Sequence, residues 1–203
     1  MMAIARDRRT GKHALSLAEG LVLCLVRERP TYGLVLARLL APDGSLGQIW
    51  SVPKAMVYYA LRQLELAGLI RMTKEQRTSR GPARSIYRIT PAGRAAAEAW
   101  VSRPAEHVRD VRSELMVKLA LNDRAGVDSC RLIRAQLALL VPVAAALDDR
   151  LRAAEGFERT LALWRYEAMT ATMQFLTALA DPRAGASPET PGPSGPRRSD
   201  RES

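Results

Sequence analysis

The segment Trp50-Ser-Val-Pro-Lys-Ala-Met-Val-Tyr-Tyr-Ala-Leu-Arg-Gln-Leu-Glu-Leu-Ala-Gly-Leu-Ile-Arg71 constrains the fold more than any other part of the chain. Ser51 is a natural N-cap, because its hydroxyl can accept from an orphan backbone N–H two or three residues on. Pro53 then falls in the first turn, where its missing N–H costs nothing. Val57, Leu61, Leu64 and Gly68 follow at spacings of four, three and four, which draws one buried stripe. Lys54, Tyr58 and Arg62 recur every four residues on a different face. Gly68 supplies a left-handed stop, and Leu69-Ile70 begins an extended segment.

Two helices are expected before this one. Ser16-Leu-Ala-Glu19 is a capping box, in which Ser16 and Glu19 satisfy each other's backbone N–H. The helix runs through Leu21, Val22, Leu25 and Val26 to about Glu28, and Pro30 blocks its continuation. Thr31 caps a second helix from Tyr32 to about Leu40, with Val35, Leu36 and Leu39 as its apolar face. Pro42-Asp43-Gly44-Ser45 and Gly47 are turn chemistry.

After the strand comes Glu75–Arg84, which is basic, broken by Gly81-Pro82, and without an apolar residue larger than alanine. Ser85-Ile-Tyr-Arg-Ile-Thr90 then alternates, with Ile86 and Arg88 on one face and Tyr87 and Ile89 on the other. Two strands around a basic tip make a β-hairpin wing. Thr90-Pro91 opens another helix that continues to about Ser102, ahead of Pro104. The expected fold is mainly α with a small β-hairpin wing: a winged helix-turn-helix over residues 15–103. That fold puts its third helix into the DNA major groove.

Charge agrees. Residues 1–100 hold 16 Lys and Arg against 7 Asp and Glu, whereas residues 101–203 hold 15 against 14. A GC-rich genome would raise arginine throughout the chain and would not localise the excess. The partition is the electrostatic footprint of a polyanion reader.

The second half reads as a helical dimerisation region over residues 104–181. Asn122-Asp123 can cap a helix running to about Ala154, and Ile133, Leu137, Leu140, Ala144, Leu147 and Leu151 form a heptad seam on it. Pro142 should kink it. The last helix, about Phe157 to Ala180, carries Phe157, Leu161, Trp164, Ala168, Ala171 and Phe175 on one stripe. Tyr166, Met169, Met173 and Leu176 form a second stripe on the same helix. The preceding helix can cover only one of the two, so the other faces a second subunit, unless both pack onto the winged helix of a monomer. Residues 1–14 are a basic arm that tracks phosphates or is simply loose, and residues 182–203 should be disordered.

Cys24 and Cys130 make no disulfide scaffold or C-x-x-C motif, and a buried hydrophobe is the simpler role for each than redox sensing. His13 and His107 lack metal-ligand spacing. No phosphate-cradling loop, nucleophile motif or carboxylate cluster is present, so neither an enzyme, a cofactor nor a metal is expected. Without a signal peptide or transmembrane run the expected location is cytoplasmic, with no membrane partner.

The chain is similar to PadR-type transcriptional regulators over about residues 15–180. The matching pieces are Leu17–Val26, Pro30-Thr-Tyr-Gly33, Val57–Ile70, Ser85–Arg94 and Ser113–Leu121. Tyr32, Leu34 and Met56 depart from residues frequent in that family, which bears on base preference rather than fold. The resemblance implies a homodimer that binds a palindromic operator, with repression as the default. It also implies a small aromatic or drug-like effector, for which Trp50, Trp100 and Trp164 are candidate lining residues. Core packing is the commoner fate of tryptophan.

The DNA-binding candidates are Ser51, Lys54, Tyr58 and Arg62 on the helix and Arg77, Arg80 and Arg84 on the wing. Lys54 can reach a base edge or phosphate, and Arg62 the backbone; both would also suit a solvated helix face. Tyr58 either donates its hydroxyl to a phosphate or packs its ring under the wing. The wing arginines suit phosphate or the minor groove. The dimerisation candidates are Ile133, Leu137, Leu140, Leu147, Leu151, Trp164, Tyr166, Met169 and Met173. The rival reading is a winged-helix adaptor that binds a protein partner and no specific DNA.

Overall fold

In the computed structural model, which describes residues 15–74 and 85–181, the Ser16 capping box forms as expected. Glu19 N–H donates to Ser16 Oγ at 3.3 Å and Ser16 N–H to Glu19 Oε2 at 2.8 Å. Helix α1 (Leu17–Glu28) follows, and every residue from Ala18 to Val26 is buried. A helix buried all round is the axis of a core.

Pro30 ends α1, but Thr31 does not cap the next helix. Thr31–Tyr32 is a short strand, β1, and α2 (Gly33–Leu39) starts one residue later than expected without a side-chain cap. Val35 is exposed, and Leu36, Ala37 and Leu40 turn inward instead. The reason is long-range: β1 pairs with a strand more than fifty residues away.

Helix α3 spans Lys54–Leu66, and Ser51 is not its cap. Pro53 holds the cap position with no side-chain bond. Val52 is buried in the core and its N–H donates to Leu40 O at 2.8 Å. Anchoring Val52 leaves Ser51 exposed and too early to reach the first turn. The buried stripe is Val57, Ala60, Leu61 and Leu64. Gly68 takes φ +69° as the left-handed stop, but it is exposed rather than part of that stripe.

Strands β2 (Ile70–Lys74) and β3 (Ser85–Ile89) pair antiparallel, with Ile70 opposite Ile89 and Lys74 opposite Ser85. β1 adds on the far side of β3, Thr31 opposite Tyr87, giving the order β1-β3-β2. Helix α4 (Pro91–Ser102) starts on Thr90, whose hydroxyl accepts from Gly93 N–H at 3.0 Å.

Beyond α4 the chain is helical sooner than the sequence suggested. A single turn α5 (Val108–Asp110) and a π-helical turn Val111–Leu115 lead into α6 (Met116–Arg124). Asn122 and Asp123 therefore close a helix rather than open one. Asn122 O accepts from Val127 N–H at 2.9 Å, Gly126 takes φ +64°, and Asn122 Nδ2 donates to Ser129 Oγ at 3.2 Å. The turn into α7 (Cys130–Ala153) is made by Asp128, whose carboxylate accepts from Cys130 N–H at 2.9 Å. Gly156 opens α8 (Gly156–Ala180).

Two cores result. The first surrounds α1 and gathers α3, Ile70, Trp100 and, from α6, Val117 and Leu121. The second joins Ala105, Val111 and Leu115 to Leu132, Ile133 and Leu140 on α7 and Met169 and Leu176 on α8. Leu119 of α6 packs against the second core, so α6 belongs to both, and the packing unit of the winged helix extends past residue 103.

The α7 seam is spent inside the subunit. Ile133 and Leu140 are buried, Leu137 and Leu147 pack on the second core, and Leu151 is half-buried. On α8, Ala162, Met169 and Leu176 point inward at heptad spacing, with Tyr166 and Met173 half-buried beside them. Their apolar surface is used against α7, so of the dimerisation candidates only Trp164 remains fully exposed. α7 is long and apolar enough to cross a bilayer, with a mean hydropathy of 1.6 over 18 residues. Here its apolar face covers α8 and Ala105.

Candidate nucleic-acid interface

Helix α3 is held at its carboxyl end by the strand and helix that follow. Leu69 N–H donates to Leu64 O at 2.9 Å, and Met72 N–H donates to the Glu65 carboxylate at 3.2 Å. The Thr90 hydroxyl lies 2.8 Å from Gly68 O and 3.0 Å from Leu69 O, so one residue caps α4 and latches α3. A Cβ at Gly93 would strike the Leu69 carbonyl, which explains the small residue at that point of the sequence.

With its inner stripe fixed, α3 turns Lys54, Tyr58 and Arg62 outward, and all three are exposed. Met56 and Tyr59 are exposed on the same helix. The Tyr58 ring rests over the start of α2: a Cβ at Gly33 would lie 2.7 Å from its Cε1. The side chain still keeps 41% of its surface. Behind it, burial first, then Glu65 and Tyr58, push the Tyr87 phenol above its ordinary value.

The sheet brings together two residues that sequence reasoning missed. Arg71 and Arg88 are directly opposite across β2 and β3, both exposed, on the face away from the core. Among the described residues neither has a carboxylate partner. Like charges at opposed positions destabilise a sheet, so the pair suits a surface that meets anions. Alternation is visible in the sequence of β3, but the register between the strands is not, because a long connection rather than a two-residue turn joins them. Arg77, Arg80 and Arg84 lie in that connection, outside the described residues.

The three tryptophans do not converge. Trp100 is buried against α1, Trp50 is half-buried at the edge of the first core, and Trp164 is exposed on α8. A groove of about 660 Å³ does lie between α7 and α8, lined by Ala144, Asp148, Tyr166, Thr170, Met173 and Thr177, among others. No tryptophan lines it. Cys24 is buried, and burial pushes its thiol up to about 12. At Cys130 the hydrogen bond to Asp128 raises the thiol pKa. Both shifts favour the unreactive thiol over the thiolate.

Residues 22–99 match the family described as "Transcriptional regulator PadR-like family". A curated relative, "Probable transcriptional regulator Rv1176c" of Mycobacterium tuberculosis, is 28% identical over 104 residues, 51% of this chain and 53% of its own length. The chain thus spans about half the length of that relative. Among solved structures, Bacillus subtilis PadR in complex with operator DNA is 18% identical, with a TM-score of 0.42 over 81% of this chain and 98% of that one. The same B. subtilis protein in complex with p-coumaric acid is 17% identical, with a TM-score of 0.37 over 84% and 97%. The match over residues 22–99 spans α3, the sheet and most of α4, and over those residues the chain is similar to the PadR-like family of transcriptional regulators.

Proposed function

We propose that the protein is a sequence-specific DNA-binding regulator that acts as a homodimer on a palindromic operator. One observation carries the reading: the free face of α3 and the facing Arg71–Arg88 pair are basic, exposed and without carboxylate partners among the described residues. Lys54 and Arg62 contact base edges or phosphates, and the Arg77, Arg80 and Arg84 segment adds backbone contacts. Two copies joined through α8 present two such surfaces, as a palindrome requires. Such a role belongs in the cytoplasm, beside the chromosome, and repression is its default sense.

The effector is a small aromatic or drug-like molecule, and its site is the α7–α8 groove, whose volume is in the usual range for such ligands. Asp148 on its wall is already paired with Arg152, so the lining offers no unpaired charge and suits a neutral aromatic. An electrophoretic shift with the DNA upstream of the chain's own gene tests the reading. A salt-sensitive, sequence-dependent complex is expected. Binding that ignores sequence would favour the protein-interaction adaptor instead.

A further inference from the structure

Two fully buried polar side chains take no part in the surface described above. Lys118 on α6 has 0% exposure, and its Nζ donates to the Arg103 carbonyl at 2.6 Å and to Glu114 Oε1 at 2.5 Å. The same ammonium stands 4.7 Å from the centroid of the Trp100 ring. Gln136 on α7, equally buried, grips Ala105 from both sides. Its Oε1 accepts from Ala105 N–H at 2.7 Å and its Nε2 donates to Ala105 O at 3.1 Å. Arg103 and Ala105 belong to the connector between α4 and α5. Each of two successive helices therefore holds that connector by one buried side chain.

A third tether acts at the far end of α6. Arg124 makes a bidentate pair with Glu28 of α1, at 3.0 and 2.7 Å. α6 is the helix common to both cores, so all three tethers bear on the angle between the winged helix and the α7–α8 pair.

A buried ammonium is tolerated only where partners replace its lost water, and an apolar chain of similar volume would often serve stability as well. What Lys118 adds over a methionine is direction. Hydrogen bonds weaken steeply with distance and angle, and a displaced connector would leave buried donors and acceptors unpaired. The arrangement therefore resists small rotations that an apolar contact would absorb.

Resting on the two-site reading above, we propose that Lys118 and Gln136 form the joint that fixes the winged helix against the α7–α8 pair. They thereby determine which spacing of operator half-sites the dimer accepts. They are positioning residues and do not touch DNA. Inserting two base pairs between half-sites rotates one against the other by roughly 70°, because a turn holds about 10–10.5 base pairs. A stiff joint cannot follow that rotation, and a loosened one can.

The test uses the full chain and the duplex that the wild-type protein selects from a random pool. From it are made a single half-site and versions with the spacing changed by about two base pairs. The wild type should lose at least about tenfold in affinity on the respaced duplex, the mark of losing simultaneous engagement. Lys118→Met and Gln136→Met should bind the single half-site within about twofold of wild type, yet lose less than about threefold on respacing. Merely weakened folding would lower both affinities together. Folded variants that keep the wild-type spacing penalty overturn the proposal. So does loss of cooperative melting in both, which would make the pair part of the fold's stability. A wild-type protein that selects a duplex but ignores spacing removes the two-site reading, and the joint with it; one that selects no duplex removes DNA reading itself.

Discussion

The indole of Trp100 occupies the space where a side chain at Gly20 would stand, so α4 lies against α1 with no residue between them. The obstacle to a larger residue is a ring already buried in the first core, not the end of a flexible chain. Gly20→Ala should therefore destabilise the protein by about 1–3 kcal/mol through overpacking, although alanine is the better helix former. Urea melts followed by tryptophan fluorescence measure this. A melt equal to wild type or better would mean that α1 and α4 can separate freely.

That close approach shows where sequence reading stopped. The capping box at Ser16, the left-handed Gly68 and the Thr90 cap are local signals, and each formed as its chemistry dictates. Ser51 and Thr31 carried equally good local signals, and tertiary packing overrode both: Val52 is drawn into the core, and Thr31 is recruited by Tyr87. Asn122-Asp123 failed for a related reason, since the same residues suit either end of a helix. Lys54, Tyr58 and Arg62 were legible because four-residue spacing fixes a helical face. The Arg71–Arg88 pair was not, because cross-strand neighbours depend on register. The inward face of α8 was also hidden, since two apolar stripes on one helix do not say which neighbour takes which.

The wing pair separates function from fold. Changing Arg71 and Arg88 together to glutamine should leave stability unchanged or raise it by about 0.2–1 kcal/mol, as opposed like charges are removed. DNA affinity should fall, with the salt slope flattened by about one unit for each phosphate no longer neutralised. Parallel melts and salt titrations give both readings. Reduced stability with retained affinity would mean that the arginines serve the sheet.

On α3 the sign is simpler. Lys54→Ala or Arg62→Ala should weaken the specific complex by about 1–3 kcal/mol where the side chain meets a base, with relaxed preference at that position. Operator titrations against variant base pairs decide it. Wild-type affinity in both mutants would take this helix out of the interface.

Lys118 gives a pH dependence with a definite direction. Burial, opposed by Glu114, holds its ammonium below the ordinary 10.5. Between the folded-state value and 10.5 the unfolded chain binds the proton more tightly, so stability from this group rises with pH in that window and is flat below it. Urea melts between about pH 7 and about pH 10 should show the wild type gaining on Lys118→Met. The opposite slope would mean that the Glu114 pair outweighs desolvation.

The last prediction concerns the surface of α8. Ala162, Met169 and Leu176 face inward at intervals of seven, while Phe157 is 80% exposed and Trp164 67%. Leu161 and Phe175 continue that outer stripe. A contiguous apolar strip of this kind marks an interaction surface, and a second copy is the occupant the two-site reading requires. Phe157→Glu with Trp164→Glu should therefore yield a folded monomer with an unchanged melt apart from the missing subunit coupling. Its affinity for a full palindrome should drop by a factor of about 10²–10⁴, because tethering supplied the effective concentration at the second site. Leu140→Asp or Met169→Asp should behave differently. Each puts a carboxylate into the second core and costs several kcal/mol unless the group is neutralised, on the order of the whole stability of a small domain. Sedimentation, thermal melts and operator titrations on the same four proteins distinguish the cases. A double mutant that stays dimeric would move the subunit interface off this stripe, and an intact chain that sediments as a monomer while binding a palindrome tightly would end the dimeric reading.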